Sequence, residues 1–362
     1  MSFDVSSQIS EGLEDPEWDN FVWNVPDGHY TQRSLWGQVK SIQGWRSFRL
    51  LLKRRGEIIA GTQIFVRPMP LFGLIGYISK GPLFREDDQA LFGHCLREIQ
   101  RYLCAQNVQY FVLQPPDHGD KVVELLIEMG FQKSSQGDIE KPATILLDIS
   151  LDPEIILTTQ IKYKKRNAIR RSQRTGLLYR RGTKADLEFF ARLHQMTGER
   201  NQFQVQSKAF FEKLWDVFEP RQQLALLIAE YEGEPLAASL VLAYKDTAYG
   251  YRIGWSGRHS NLCPNEGVIW SSILWAREQG YRWFDFGGID TEAARAVLNG
   301  QELPAHLLNT YSEYKLHYTE QIVMYPETYE YICSPFFRWL YVRIFCYFRP
   351  VLMFVYRLYR RR

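Results

Sequence analysis

At 362 residues, 45% hydrophobic and 23% charged, the chain is long enough to bury the cores of two ordinary domains. Its 44 basic and 41 acidic side chains leave a formal charge of only +3, which argues against a protein built wholly around nucleic acid. Five cysteines, odd in number and never spaced C-x-x-C, fit neither a disulfide framework nor a zinc ribbon, so a reducing cytosol is expected.

The N-terminal stretch MSFDVSSQISEGLEDPEWDNFV is acidic and has no apolar run that could serve as a signal-peptide core or a membrane span, so export is not expected. Further on, GEIIAGTQIFV at 56–66 reads as a turn entering a half-buried strand, followed by a strand at LIGYIS (74–79). In DDQALFGHCLREIQRYLCAQ, Leu91, Cys95, Ile99 and Leu103 recur at four-residue spacing and predict a helix with one apolar stripe facing a sheet. A strand at QYFVLQ (109–114), a helix in VVELLIEMGFQK ended by Gly130, and a returning strand complete the unit.

After the polar SSQGDIEKPAT, the boundary is expected near residues 150–160. Beyond it, the same order returns, with GEPLAASLVLA at 233–243 reading against GEIIAGTQIFV, then TAYGYRIG, a helix and RWFDFGG. The sequence therefore predicts an α/β (α+β) fold in three parts. They are a first lobe at 1–155, a second at 156–332, each a mixed, mostly antiparallel sheet flanked by helices, and a tail at 333–362. The tail carries Arg338, Arg343, Arg349, Arg357, Arg360 and Arg361 within about 140° of helix circumference, with aromatics on the remaining arc. That pattern predicts an amphipathic helix lying on an anionic membrane surface.

The stretch IKYKKRNAIRRSQRTGLLYRRGTK at 161–184 holds ten lysines and arginines and no acid. Read as a helix, 161–175 leaves only a narrow side for a core, and its other faces can meet anions.

Four stretches in this order resemble the FemABX aminoacyltransferases. They are the Gly28, Gln32, Trp36, Lys40, Gly44-Trp45 spacing, GYISKGPLF at 76–84, KKRNAIRRSQRTGL at 164–177 and WAREQGYRWFDFGGID at 275–290. The resemblance implies two GNAT-like lobes and transfer of an amino acid from aminoacyl-tRNA to the peptide amine of a nucleotide- or lipid-linked muropeptide precursor. The stretch from Arg200 to Glu232 is too short for the coiled-coil arm of some members, so the likeness is to the armless ones.

The same resemblance implies the site. Lys40 and Arg200 would hold the acceptor diphosphate, with Trp36 and Tyr77 in the substrate-binding set. Lys315, in a Tyr314-Lys315 version of the family's Phe-Lys motif, would sit near the reaction centre; from the residues themselves, Asp285 and Asp290 around FDFGGID are general-base candidates, Asp285 being the catalytic one. Lys164, Lys165, Arg166, Arg170, Arg171 and Arg174 would touch tRNA phosphates or lipid. His194 and His259 have no spaced partner and are poor candidates for a ligand or a base.

An aminoacyl ester is already activated, so no cofactor, metal or nucleophilic residue is expected, and no G-x-S-x-G, H-E-x-x-H or P-loop motif occurs. A cytoplasmic monomer, with the tail as a route to peripheral association on the inner membrane face, is the expected state. Two rivals stand beside this reading. A CoA-dependent N-acyltransferase would need a glycine-rich pyrophosphate loop where GRHSNLCPNEG stands, with Leu262 and Cys263 in place of glycines and Pro264 following. A non-enzymatic membrane- or RNA-binding module would not require Lys40, Arg200 and Lys315 to converge.

Overall fold

The computed structural model describes residues 5–69, 73–135 and 137–334 and forms two compact units. The first holds the chain up to Gly37, Gly44–Ile139 and Pro326 onward. The second holds Gln38–Gln43 and Glu140–Tyr325. The amphipathic tail expected at 333–362 lies, from residue 335, outside the described residues. Among the described residues, no helix is long and apolar enough to cross a membrane.

In the first unit, β1 (Ser6–Ser10), α1 (Pro16–Asn24) and the start of α2 (Ser34–Ser41), whose residues from Gln38 belong to the second, precede the antiparallel β2 (Arg46–Arg54), β3 (Glu57–Met69) and β4 (Gly73–Ile78), with a short β5 (Leu83–Phe84) beside β3. The β2–β3 turn is Arg55-Gly56, both at positive φ, the two-residue geometry that matches the twist of antiparallel strands. Helix α3 (Gln89–Ala105) then carries the chain to β6 (Val108–Leu113), parallel to β4, and α4 (Asp120–Glu128) leads to β7 (Gln132–Lys133). The expected stripe of Leu91, Cys95, Ile99 and Leu103 is wholly buried in this unit's core.

The second unit repeats the pattern. It contains β8 (Ala143–Asp148), α5 (Pro153–Ile155), α6 (Tyr163–Ser172), β9 (Leu178–Arg181), α7 (Leu187–Asn201) and α8 (Lys208–Phe218). These are followed by β10 (Leu224–Tyr231), β11 (Glu234–Tyr244), β12 (Thr247–Trp255), α9 (Pro264–Glu278), β13 (Trp283–Gly288), α10 (Thr291–Leu298), α11 (Tyr311–Leu316) and β14 (Ile322–Met324). Strands β10, β11 and β12 are antiparallel, and α9 crosses to β13, parallel to β12, as α3 does between β4 and β6. The duplicated strands β3 and β11 are buried along most of their length, on both faces, where one half-buried face was expected. In β12, a Cβ at Gly254 would stand 2.7 Å from the His194 backbone nitrogen, so α7 lies directly on the sheet.

Two features depart from the sequence reading. The crossing into the second sheet comes at residue 140 rather than at 150–160, because β8 pairs with β13. A final strand, β15 (Tyr329–Ile332), returns to the first sheet between β6 and β7. The place beside β6 in one sheet and beside β13 in the other is thus filled by a strand from across the sequence boundary. Cys104, ending α3, and Cys333, following β15, form a disulfide over 229 residues, which corrects the expectation of a chain without one.

Candidate functional site

The most constrained polar cluster lies at the end of β13. In FDFGGID, Phe284 and Phe286 are buried in the core, and the pairing with β8 is interrupted between Asp285 and Gly288. That irregularity needs its glycines: Gly287 has a φ of +76°, and a Cβ on Gly288 would stand 2.2 Å from the Lys141 Cβ. Asp285 is buried, and its Oδ1 accepts from Thr144 Oγ1 at 2.5 Å and from the Gly287 N–H at 2.6 Å.

Lys315 reaches the same point from α11. Its Nζ donates to the Gly288 carbonyl at 3.0 Å and lies 5.6 Å from the Tyr311 ring centroid. Burial brings its pKa down to about 8, and Arg252 adds to that against the opposing pull of Asp285. The two residues named as catalytic from the sequence are therefore brought together.

Arg200 projects from the last turn of α7. Its Nη2 donates to the Trp255 carbonyl at 2.6 Å, and the guanidinium lies 4.9 Å from the Trp255 ring centroid. A Cβ at Gly257, whose φ is +83°, would stand 2.7 Å from Nη1. Trp255 and Gly257, which the sequence reading missed, thus set where this exposed cation points.

Lys40, in the last turn of α2, donates to Gln43 Oε1 at 2.5 Å, and Gln43 Nε2 donates to Gln206 Oε1 at 2.6 Å. One glutamine therefore links Lys40 to the segment that follows the helix of Arg200.

The other motif residues of the first unit have scaffolding roles. Trp36 is buried edge-on to Tyr30, where it packs α2 rather than facing solvent. Tyr77 stacks on Phe65 and meets the edge of Trp45, each at 4.6 Å between centroids. The Gln32 amide donates to the Ser79 carbonyl at 2.6 Å and accepts from the Gln63 N–H at 2.7 Å, and Gly81 has no room for a Cβ beside it.

The basic segment requires the largest correction. Six of its ten cations pair with acids from elsewhere in the unit: Lys162 with Glu320, Lys165 with Glu266, Arg170 with Glu154, Arg180 with Asp186 and Glu230, Arg181 with Glu219, and Lys184 with Asp216. Lys165 is only 6% exposed, on the buried side of α6, and cannot contact an external anion. Arg166 donates to the Thr158 carbonyl at 2.9 Å and caps the preceding turn. Lys164 and Arg174 are exposed and carry no salt bridge among the described residues, and Arg171 is exposed beside Cys263.

His194 is buried among the Phe190, Phe203 and Phe211 rings, with Nδ1 3.0 Å from the Ile253 carbonyl; burial lowers its pKa and it stays neutral. At the start of α9, Pro264 removes a backbone donor, and Glu266 in the first turn is paired with Lys165.

Comparison with known proteins agrees with this architecture. The FemAB family model matches residues 13–124, and the acetyltransferase (GNAT) domain model matches residues 160–295. The chain is 24% identical over 350 aligned positions to the lipid II:glycine glycyltransferase of Staphylococcus saprophyticus, covering 77% of this chain and 84% of that protein. Against the enzyme of the same name from Staphylococcus aureus strain MRSA252 it is 23% identical, with the same shares covered. A crystal structure of FemX superposes with a TM-score of 0.76 at 17% identity, covering 92% of this chain and 99% of FemX.

The chain is similar to proteins of the FemABX family.

A tandem GNAT protein from the clavulanic acid pathway shares the fold more loosely, with a TM-score of 0.55 at 9% identity over 91% of this chain and 99% of its own. The saprophyticus alignment spans 350 positions but only 77% of a 362-residue chain, so that relative carries residues in the span that this chain lacks.

Proposed function

We propose that this protein transfers an amino acid from an aminoacyl-tRNA to the peptide amine of a peptidoglycan precursor. The observation that carries the reading is the Lys315 ammonium, held on the Gly288 carbonyl beside buried Asp285, at the place the family motif indicates. The names of the staphylococcal relatives support a lipid-linked acceptor.

In this mechanism the neutral acceptor amine attacks the ester carbonyl. An N–C bond forms and the carbonyl electron pair moves onto oxygen. As the adduct collapses, the C–O bond to the ribose breaks. The proton lost by the nitrogen balances the one taken up by the departing ribose oxygen, so the reaction needs positioning and charge stabilisation rather than a covalent intermediate. Lys315 supplies a fixed N–H donor to the developing oxyanion, and Asp285 is the companion charge that keeps the ammonium protonated in a desolvated place. Lys40 and Arg200 bind the acceptor diphosphate, Arg200 pre-aimed by Trp255.

The GNAT domain match also invites an acyl-CoA donor. The start of α9 argues against it: a pyrophosphate approaching that helix N-terminus would lose one N–H to Pro264 and meet the Glu266 carboxylate. The deciding experiment incubates the protein with mixed aminoacyl-tRNAs and with both nucleotide-linked and lipid-linked muropeptide, and reads products by mass. Addition of one aminoacyl residue to either acceptor is expected. No addition to either, with acetyl transfer from acetyl-CoA to any amine, would replace the reading.

A further inference from the structure

We propose that the buried Lys165–Glu266 pair is a positioning device that sets the direction of Lys315 through the ring of Tyr314. The inference rests on the reading of Lys315 given above. Lys165 belongs to the most basic stretch of the chain, yet it is the one cation of α6 turned fully inward.

Its Nζ donates to Glu266 Oε1 at 2.7 Å and sits 3.5 Å from the centroid of the Tyr314 ring and 5.2 Å from that of Tyr318. A buried ammonium is tolerated only when paired and surrounded in this way, and such pairs are poor sources of stability that can specify one arrangement over others.

The arrangement specified here is that of α11. Six residues are too few for a helix to hold its own orientation, so α11 takes its direction from its anchors. The Tyr314 ring is clamped on one face by the Lys165 ammonium. Its hydroxyl accepts from Asn265 Nδ2 at 2.9 Å and lies 3.4 Å from the Tyr318 hydroxyl. Tyr318 in turn packs against Phe286, centroids 4.8 Å apart, on the strand that carries Asp285. Adjacent side chains on a helix diverge by about 100°, so a ring fixed at 314 fixes the azimuth at which residue 315 leaves the axis. Glu266 and Asn265 lie in the first turn of α9, so three helices meet around one buried cation to aim the lysine that follows it.

The test uses the full chain and the aminoacyl-transfer assay. The double variant Lys165→Met/Glu266→Gln removes both charges at nearly constant volume, so neither partner is left buried and unpaired. Its Tm should stay within a few degrees of the parent. Its kcat should fall about 10-fold to 100-fold, the effect of a misplaced group, with KM for both substrates within about twofold. Tyr314→Leu, which deletes the ring itself, should give the same split and serves if the double variant does not fold.

Each change is then repeated in a Lys315→Met background, where it should cost no more than about twofold further, because the residue it aims is gone. A stable double variant with the parent kcat overturns the proposal. So does a loss of equal size in both backgrounds, which would mark the network as merely structural. Lys315→Met turning over at the parent rate instead overturns the reading of Lys315 and removes the basis of this one, an outcome distinct from the other two.

Discussion

Replacing Lys315 by methionine keeps the aliphatic stem and removes the only feature the mechanism uses, the charged N–H donor at the end of β13. Loss of a pre-organised oxyanion donor is worth about 100-fold to 1,000-fold in kcat, or roughly 2.7–4 kcal/mol of transition-state stabilisation, with little change in KM. The structure adds a pH signature. Burial brings the ammonium down to about 8, so about nine-tenths of it is charged at pH 7 and about one-tenth at pH 9. The parent kcat should fall as pH rises through 8, while the variant's low rate should lack that limb.

The stability consequence has the opposite sign. A lysine whose folded pKa lies below its unfolded value of 10.5 makes the unfolded chain the better proton binder between about 8 and 10.5. The penalty is present in full below 8 and is relieved as pH rises toward 10.5. At about 1.4 kcal/mol per unit, a fall from 10.5 to about 8 sets a ceiling of about 3.5 kcal/mol. Lys315→Met should therefore be slower yet slightly more stable at pH 7, measured by single-turnover transfer and by urea unfolding. A variant that is folded, as fast as the parent and still has the alkaline limb would refute the assignment.

Lys40→Ala and Arg200→Ala should each raise the acceptor KM by roughly 10-fold to 100-fold, the loss of one charge-assisted bond, and unchanged KM in both would remove them from the diphosphate site. Gly257→Ala should reproduce the Arg200→Ala phenotype without touching a charge, since its Cβ would stand 2.7 Å from Nη1. It should also cost about 1 kcal/mol or more in stability from the positive φ, read by thermal unfolding. Acetyl-CoA at millimolar concentration should leave Tm unchanged; a rise of several degrees would restore the acyl-CoA reading.

The sequence by itself determined what depends on near neighbours. Hydrophobic period predicted α3 and its stripe of Leu91, Cys95, Ile99 and Leu103, and the recurring Gly-Glu strands predicted two copies of one unit, because helix faces and tight turns are set within a few residues. The resemblance to the family's Phe-Lys motif singled out Lys315 and the FDFGGID stretch offered Asp285, and the fold joins the two at one strand end.

What only the tertiary structure decided involves partners far apart in the chain. Net basicity at 161–184 looked like a surface waiting for an anion, but six of the ten cations find acids elsewhere in the unit, Lys165 across 101 residues. Gln32 and Trp36, motif residues by spacing, prove to brace a loop and a helix, and Cys104 meets Cys333 only because β15 returns to the first sheet. A charge run or a lone cysteine carries no record of what lies opposite it. The free energy of burying an ion depends on which counter-charge the fold delivers within about 4 Å, and that delivery is a property of the packed chain.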